Sequence, residues 1–232
     1  MKKKDEAPRP ITPEDHKKLD PKRHPGVNEA LGFPTGDAFD NELTEILESD
    51  AEAEGETVVI ALVDLDEFMH VNTDFGTAEG DRVIIETGRY IASKVGKNAK
   101  VFRIGGDEFG IIFRGTAERE EIFLLLESMR RDYAVTLPDK SVMTMTVGMA
   151  TAFEDANRSP ELIRKADSAL YRAKIGGRNR VAMAKEEKMI PKTAHFTQDQ
   201  LKRLNKLSKR EDIGEAILLR EALDMLLKKY DI

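Results

Sequence analysis

The stretch VFRIGGDEFGIIF, Val101 to Phe113, sets two short apolar runs on either side of Gly105-Gly106. Paired glycines between such runs mark a tight β-hairpin, because a two-residue type I′ turn needs positive φ twice. A chain holding this hairpin must build an antiparallel sheet, and the acids that follow the turn, Asp107 and Glu108, are carried to one end of it. An isolated Gly-Gly-Asp-Glu also reads simply as turn chemistry, with the aspartate shaping the bend.

The segments around the hairpin alternate in period. The pattern predicts a helix from Asp37 to about Glu48, a buried strand in TVVIALVDLD, and helices near Glu67 to Phe75 and Glu79 to Val95. After the hairpin it predicts a helix at Glu118 to Asp132, a strand within SVMTMTVGMATAF, a helix at Pro160 to Ile175 and a strand near NRVAMA. The order βααββαβ implies an α+β domain, a palm-like mixed or antiparallel sheet flanked by helices, over residues 31–186. Fold alone assigns it no chemistry. Residues 1–30, rich in Pro, Lys and Asp without a hydrophobic period, read as a mobile arm.

Chemistry concentrates at two further places. The first strand ends in LVDLDEF, so Asp64 and Asp66 lie where a buried strand meets a helix start, a common place for ligands in sheet-and-helix folds. With the hairpin beside this strand, Asp64 and Asp107 converge, and paired hard oxygen ligands suit Mg²⁺ carrying nucleotide phosphates. Asp66 has the alternative of capping the helix after it. In KADSALYRAKIGGRNR, Asp167, Tyr171, Lys174 and Arg178 recur at spacings of four, three and four, one helix face that Gly176-Gly177 frays or ends. Lys174 and Arg178 then form a cationic stripe suited to a triphosphate, with Ala166, Ala169, Leu170 and Ala173 packed inward. Solvated helix faces carry similar stripes.

Composition narrows the remaining classes. Without cysteine, any metal is held by oxygen or histidine, and disulfides and thiol catalysis are excluded. The longest apolar run, Val58 to Val63, is too short to span a bilayer, and no apolar segment follows the N-terminal lysines, so the expectation is a cytoplasmic protein with no membrane span. A net charge of −6 offers no global basic field, although the segment from Lys188 onward is about +3 against about −9 for the rest.

Taken together, RIGGDEF, the upstream DLDEFMHVNTDFGTAEGD and the downstream ADSALYRAKIGGRN resemble a GGDEF domain, the diguanylate cyclase family, over roughly Leu31 to Ala184. The resemblance implies condensation of two GTP into cyclic di-GMP with release of two pyrophosphates, across a homodimer whose protomers each hold one GTP, with Mg²⁺ or Mn²⁺, two ions per site. By position it implies that Asp64 and Asp107 bind the metals with the Leu65 carbonyl, that Glu108 is a further catalytic candidate, and that Asp107 is the base for the attacking 3′-hydroxyl. It assigns the guanine edge to Asn72 and Asp81, and the phosphates to the backbone amides of Glu67 and Phe68 with Lys174 and Arg178. An amide plus a carboxylate complement O6, N1–H and the N2 donors of guanine, whereas adenine offers the wrong pattern.

Three positions depart from the family pattern, with Met69, Thr73 and Thr77 where Lys, Asp and His are usual. The lysine is credited with stabilising the transition state, and methionine brings neither charge nor a donor. The family's inhibitory R-x-x-D corresponds to GKNA, Gly96 to Ala99, which implies no product inhibition through that site.

Beyond Lys188 the character changes. Ile190 to Tyr230 resembles a ribbon-helix-helix unit of the CopG and Arc type, read here over residues 190–232 as a short strand at Ile190 to Phe196 and helices at Gln198 to Arg210 and Glu215 to Tyr230. Thr197 with Gln200 makes a capping box, Leu201, Leu204 and Leu207 stripe the first helix, and Ile213-Gly214 marks the turn. The second helix has more apolar surface than two short helices bury alone, so an intertwined homodimer is expected. The resemblance also implies a paired ribbon that reads DNA; with Phe196 and Ala194 toward the core, Thr193 and His195 face outward, and Lys202, Arg203, Lys206, Lys209 and Arg210 can meet phosphates. Two functions follow: a diguanylate cyclase held as a dimer by its tail, or a DNA-binding regulator whose degenerate GGDEF domain senses a nucleotide without turnover.

Overall fold

A computed structural model describes residues 25–49, 51, 55–185, 192–211 and 215–230. The chain divides into Leu19–Glu187 and a unit containing Lys188–Ile232. Each is described by itself.

The larger unit runs α1 (Pro25–Leu31), α2 (Gly36–Glu48), β1 (Thr57–Leu65), α3 (Phe68–Phe75), α4 (Thr77–Val95), β2 (Ala99–Arg103), β3 (Glu108–Gly115), α5 (Arg119–Arg131), β4 (Met145–Thr151), α6 (Ser159–Ile175) and β5 (Val181–Met183). From β1 to β4 this is the expected βααββαβ order, and α6 and β5 extend it. The sheet order is β2-β3-β1-β4-β5, antiparallel except for the parallel β4–β5 pair, so it is mixed.

Strand β1 is central, and its side chains alternate between two cores. Val59, Ala61, Val63 and Leu65 pack with α3, α4 and α5 residues such as Val71, Ile84 and Leu126. Val58, Ile60 and Leu62 pack with Phe39 and Leu43 of α2 and Leu162, Ala166 and Leu170 of α6. The same alternation sends Asp64 to the α2/α6 face. Helix α6 lies so close to β4 that a Cβ on Gly148 would collide with the Ala166 carbonyl and the Leu170 amide.

Two local expectations are corrected here. Residues 25–31, read as part of the arm, are helical: Pro25 occupies the first helical position, Gly32 closes the turn at a φ of +64° with its amide on the Asn28 carbonyl, and Val27 joins the core. Residues 1–24 lie outside the described residues. The hairpin is not a two-residue type I′ turn, because neither Gly105 nor Gly106 has positive φ and four residues separate the strands. The Ile104 and Gly105 amides both donate to the Glu108 carbonyl, at 3.1 and 3.2 Å. Gly105 is needed instead for close approach, since a Cβ there would stand 2.7 Å from a Glu108 carboxylate oxygen.

The C-terminal unit contains α7 (Gln198–Glu211) and α8 (Glu215–Lys229). The capping box is present: Gln200 Oε1 accepts from the Thr197 amide at 2.9 Å, and the Gln200 amide donates to Thr197 Oγ1 at 3.2 Å. Asn205 Nδ2 donates to Glu215 Oε1 at 2.9 Å, tying α7 to α8. No strand forms over the described residues 192–197, because a lone ribbon has no ladder partner within one chain. Positions 190 and 191 and the turn at Ile213-Gly214 lie outside the described residues.

Candidate active site

Strand pairing decides which acids meet. In the antiparallel β1–β3 register Asp64 stands directly opposite Glu108, and the Leu65 amide reaches the Asp107 carbonyl at 3.4 Å. Three carboxyl groups from two segments therefore share one end of the sheet. Like charges so placed raise one another's proton affinity. Burial, followed by the Asp64 charge, pushes Asp107 up to about 6. Burial, followed by Asp64 and Asp107, pushes Glu108 up to about 7. Asp64 is also raised, chiefly by burial, although Lys174 draws it down and Glu108 shares a hydrogen bond with it.

One cation answers this cluster from α6. Lys174 Nζ lies 2.6 Å from Asp64 Oδ2. As expected, Ala166, Ala169, Leu170 and Ala173 of that helix are buried. Arg178 is not on the Lys174 face, which corrects the four-residue stripe. The helix ends at Ile175 with Gly176 as its cap, and Arg178 and Asn179 follow in left-handed backbone at φ of 59° and 45°.

Asp66 caps nothing. Its buried carboxylate accepts from Thr144 Oγ1 and Thr146 Oγ1, each at 2.6 Å, and from the Asn179 amide at 3.1 Å, so it fastens the Arg178 loop to β4. Helix α3 instead starts after Glu67, whose left-handed φ of 57° turns the chain sharply out of β1 and places the Glu67 and Phe68 amides at the helix N-terminus. Beside α3 opens a cavity of about 410 Å³ whose lining includes Glu67, His70, Asp74, Asp139 and Arg178.

Asn72 packs across the α3–α4 corner against Gly80, the residue before Asp81. A Cβ on Gly80 would collide with Asn72 Oδ1, so the glycine beside Asp81 is what lets the amide lie against α4. Met69 is 61% exposed, and the Thr73 hydroxyl donates back to the Met69 carbonyl of its own helix at 3.0 Å. Gly96, at the position of the inhibitory motif, is a helix C-terminal turn at a φ of +77°.

Sequence reasoning passed over Arg103. It closes β2, is 1% exposed, and donates through Nη1 to Asn28 Oδ1 at 2.6 Å and through Nη2 to the Gly106 carbonyl at 2.8 Å. The readable signal was a single charge between Phe102 and Ile104, in an apolar run that ends at the glycine pair.

Two carboxylates with the Leu65 carbonyl form a hard-oxygen donor set whose crowded charge a divalent cation would relieve. Among the described residues no three Asp, Glu or His side chains make a ready-made cage. Mg²⁺ is usually held that way, by one or two carboxylates with water and phosphate oxygens completing its shell.

The family model for the GGDEF domain of diguanylate cyclases matches residues 26–180. The chain belongs to the GGDEF family. Diguanylate cyclase DgcM of Escherichia coli K12 is 36% identical over 126 residues, covering 54% of this chain and 30% of that protein. Diguanylate cyclase A of Treponema denticola is 30% identical over 145 residues, covering 59% and 37%. The chain thus spans about a third of the length of these curated relatives. Among solved structures, the GGDEF domain of DgcB from Caulobacter crescentus, in complex with c-di-GMP, superposes with a TM-score of 0.59 at 28% identity, covering 66% of this chain and 91% of that one. A GGDEF domain from Pseudomonas aeruginosa gives 0.63 at 25% identity, covering 68% and 99%.

A ribbon-helix-helix family model matches residues 190–231, immediately after the GGDEF match. Thr193 and His195 are exposed, as are Lys202, Arg203 and Lys206 of α7. No helix among the described residues is long and apolar enough to cross a membrane.

Proposed function

We propose that this GGDEF protein is a diguanylate cyclase that condenses two GTP into cyclic di-GMP and two pyrophosphates across a homodimer. The observation that carries this reading is the meeting of Asp64, Asp107 and Glu108 at the end of β1 and β3, with Lys174 at 2.6 Å from Asp64.

In this reading Asn72 and Asp81 pair with the guanine edge, and the Glu67 and Phe68 amides hold phosphates with Lys174 and Arg178. Asp64, Asp107 and the Leu65 carbonyl hold Mg²⁺ or Mn²⁺, two ions per site, with Glu108 as a further ligand. The metal supplies Lewis-acid stabilisation of charge on the attacked phosphate. The 3′-oxygen of one GTP bonds to the α-phosphorus of the other, the α–β phosphoanhydride bond breaks, and pyrophosphate leaves. Asp107 would take the 3′-hydroxyl proton. Lys174, paired with Asp64, would turn to the triphosphate when nucleotide binds. The C-terminal unit supplies the pairing that brings two half-sites together.

Incubation with GTP and Mg²⁺, followed by chromatography and mass identification, tests this. Cyclic di-GMP is expected and should fall at least about a hundredfold in Asp107→Ala. GTP bound tightly and left unchanged would overturn it.

A second reading rests on Met69 standing where the family has lysine, beside a ribbon-helix-helix match: a DNA-binding regulator that senses GTP without turnover. It requires an electrophoretic shift of operator DNA that nucleotide alters. A shift indifferent to both DNA sequence and nucleotide rejects it.

A further inference from the structure

Among the described non-glycine residues with positive φ, Glu67, Arg178 and Asn179 all line the cavity beside α3. Left-handed backbone is strained for such residues, persists only where the surroundings impose it, and gathers at functional sites. Arg178 and Asn179 are consecutive, and Asp66 is at the centre of what holds them. Asp66 is 7% exposed, and a buried carboxylate is costly unless donors meet it. Its donors are the Thr144 and Thr146 hydroxyls, each at 2.6 Å, and the Asn179 amide at 3.1 Å. Thr146 Oγ1 accepts from the same amide at 2.9 Å, and Arg130 Nη1 of α5 donates to Asn179 Oδ1 at 2.9 Å. Arg178 is fixed as well, its amide donating to the Ala173 carbonyl at 3.0 Å and its carbonyl accepting from Arg180 Nε at 3.1 Å.

A connection that only joined α6 to β5 could place glycine at both left-handed positions without strain. The sequence puts its glycines just before them, at 176 and 177, and an exposed guanidinium at 178. We propose that Asp66, together with Thr146, is a positioning residue that sets Arg178 toward the polyphosphate of the nucleotide. This rests on the proposed function. Asp66 itself touches no substrate; through the Asn179 amide it holds the backbone from which Arg178 borders the cavity with Glu67. The end of β1 thus serves the metal through Asp64 and the phosphates through Asp66.

The test uses the full-length protein with Mg²⁺ and compares binding of α,β-methylene GTP, which cannot release pyrophosphate, with binding of GMP. Thr146→Val keeps the shape of the side chain and removes its hydroxyl; it should weaken the GTP analogue about tenfold and GMP by no more than about twofold. Thr146→Ser, which returns the hydroxyl, should restore the GTP analogue to within about twofold. Arg178→Met should weaken the analogue about tenfold, and adding Thr146→Val to it should cost no more than about twofold further, because the loop then has no guanidinium to aim. Thermal melting identifies a Thr146→Val protein that fails to fold; Thr144→Val, at the half-buried side of the same carboxylate, then takes its place with the same expectations.

Equal weakening of GMP and the GTP analogue would overturn the proposal. So would undiminished binding of the analogue in a folded valine variant, additive losses in the pair, or equal affinity for the two nucleotides in the unsubstituted protein. If the unsubstituted protein binds neither nucleotide, the functional reading falls and this one falls with it; if it prefers the GTP analogue and only the substitutions disagree, this one falls alone.

Discussion

In the sheet unit Val63, Leu126 and Met145 are wholly covered by their own chain, whereas in the C-terminal unit Leu223, Met225 and Leu226 are 53%, 57% and 50% exposed. The same kinds of side chain meet two fates because a sheet with helices on both faces closes its core within one polypeptide, and two helices cannot. The first unit is finished as a single chain. The second leaves these apolar side chains exposed, and residues 192–197 form no strand. The candidate site lies in the closed unit, and the dimer proposed above would draw on the open one.

The sharpest way to break this division is to charge the open face. Leu223→Glu with Leu226→Glu should weaken self-association at least about a hundredfold, seen by light scattering across a dilution series, while the melting of the sheet unit stays unchanged. A sheet unit that melts earlier in this variant would show that the two units share stability.

The converse perturbation is Gly148→Ala. Its methyl group would push α6 off β4, and a loss of roughly 3 kcal/mol is expected in denaturant unfolding of the sheet unit, with self-association through the tail retained.

The mildest test uses protons. Asp107 and Glu108 have folded pKa values of about 6 and about 7, above their ordinary 3.8 and 4.5, so the folded chain binds protons more tightly than the unfolded one. Their contribution to stability is full below about pH 4 and is lost as pH rises through 6 and 7. Without metal, melting temperature should carry a downward component over that window; Asp107→Asn with Glu108→Gln should remove it, and added Mg²⁺ should offset it. The exposed C-terminal unit should show no such component.

The sequence was legible where the cause is local. Nine residues of strand period made β1 visible, and the spacing of alanines and Leu170 showed which face of α6 is buried. Thr197 and Gln200 announced a helix start by their chemistry alone. Legibility failed where a distant contact decides. Asp66 looked like a cap because Thr144 and Thr146 lie far along the chain, and Gly105-Gly106 looked like a type I′ turn because the demand of the Glu108 side chain for space cannot be seen in a dipeptide. Arg178 seemed to continue a helix face until Gly176 and the left-handed residues after it ended the helix. Arg103 is a single charge in an apolar run; only the fold shows that α1 and the turn at Gly106 accept its hydrogen bonds. Met69, read as a missing charge, lies exposed on α3 rather than in a core.

The Asp66 contacts carry a consequence for how the molecule is made. They join residues 78, 80 and 113 positions apart, so each requires a large loop to close before its bond can form. Contacts of such separation form slowly, after the hairpin and the helices have collapsed. The Arg178 loop, whose Asn179 contact spans more of the chain than the β1–β4 pairs, is therefore docked late in folding. Pulse-labelled hydrogen exchange should find the Asn179 amide among the last protected, and early protection there would contradict this order. A nascent chain caught before that step would have a nearly complete scaffold and an undocked Arg178 loop.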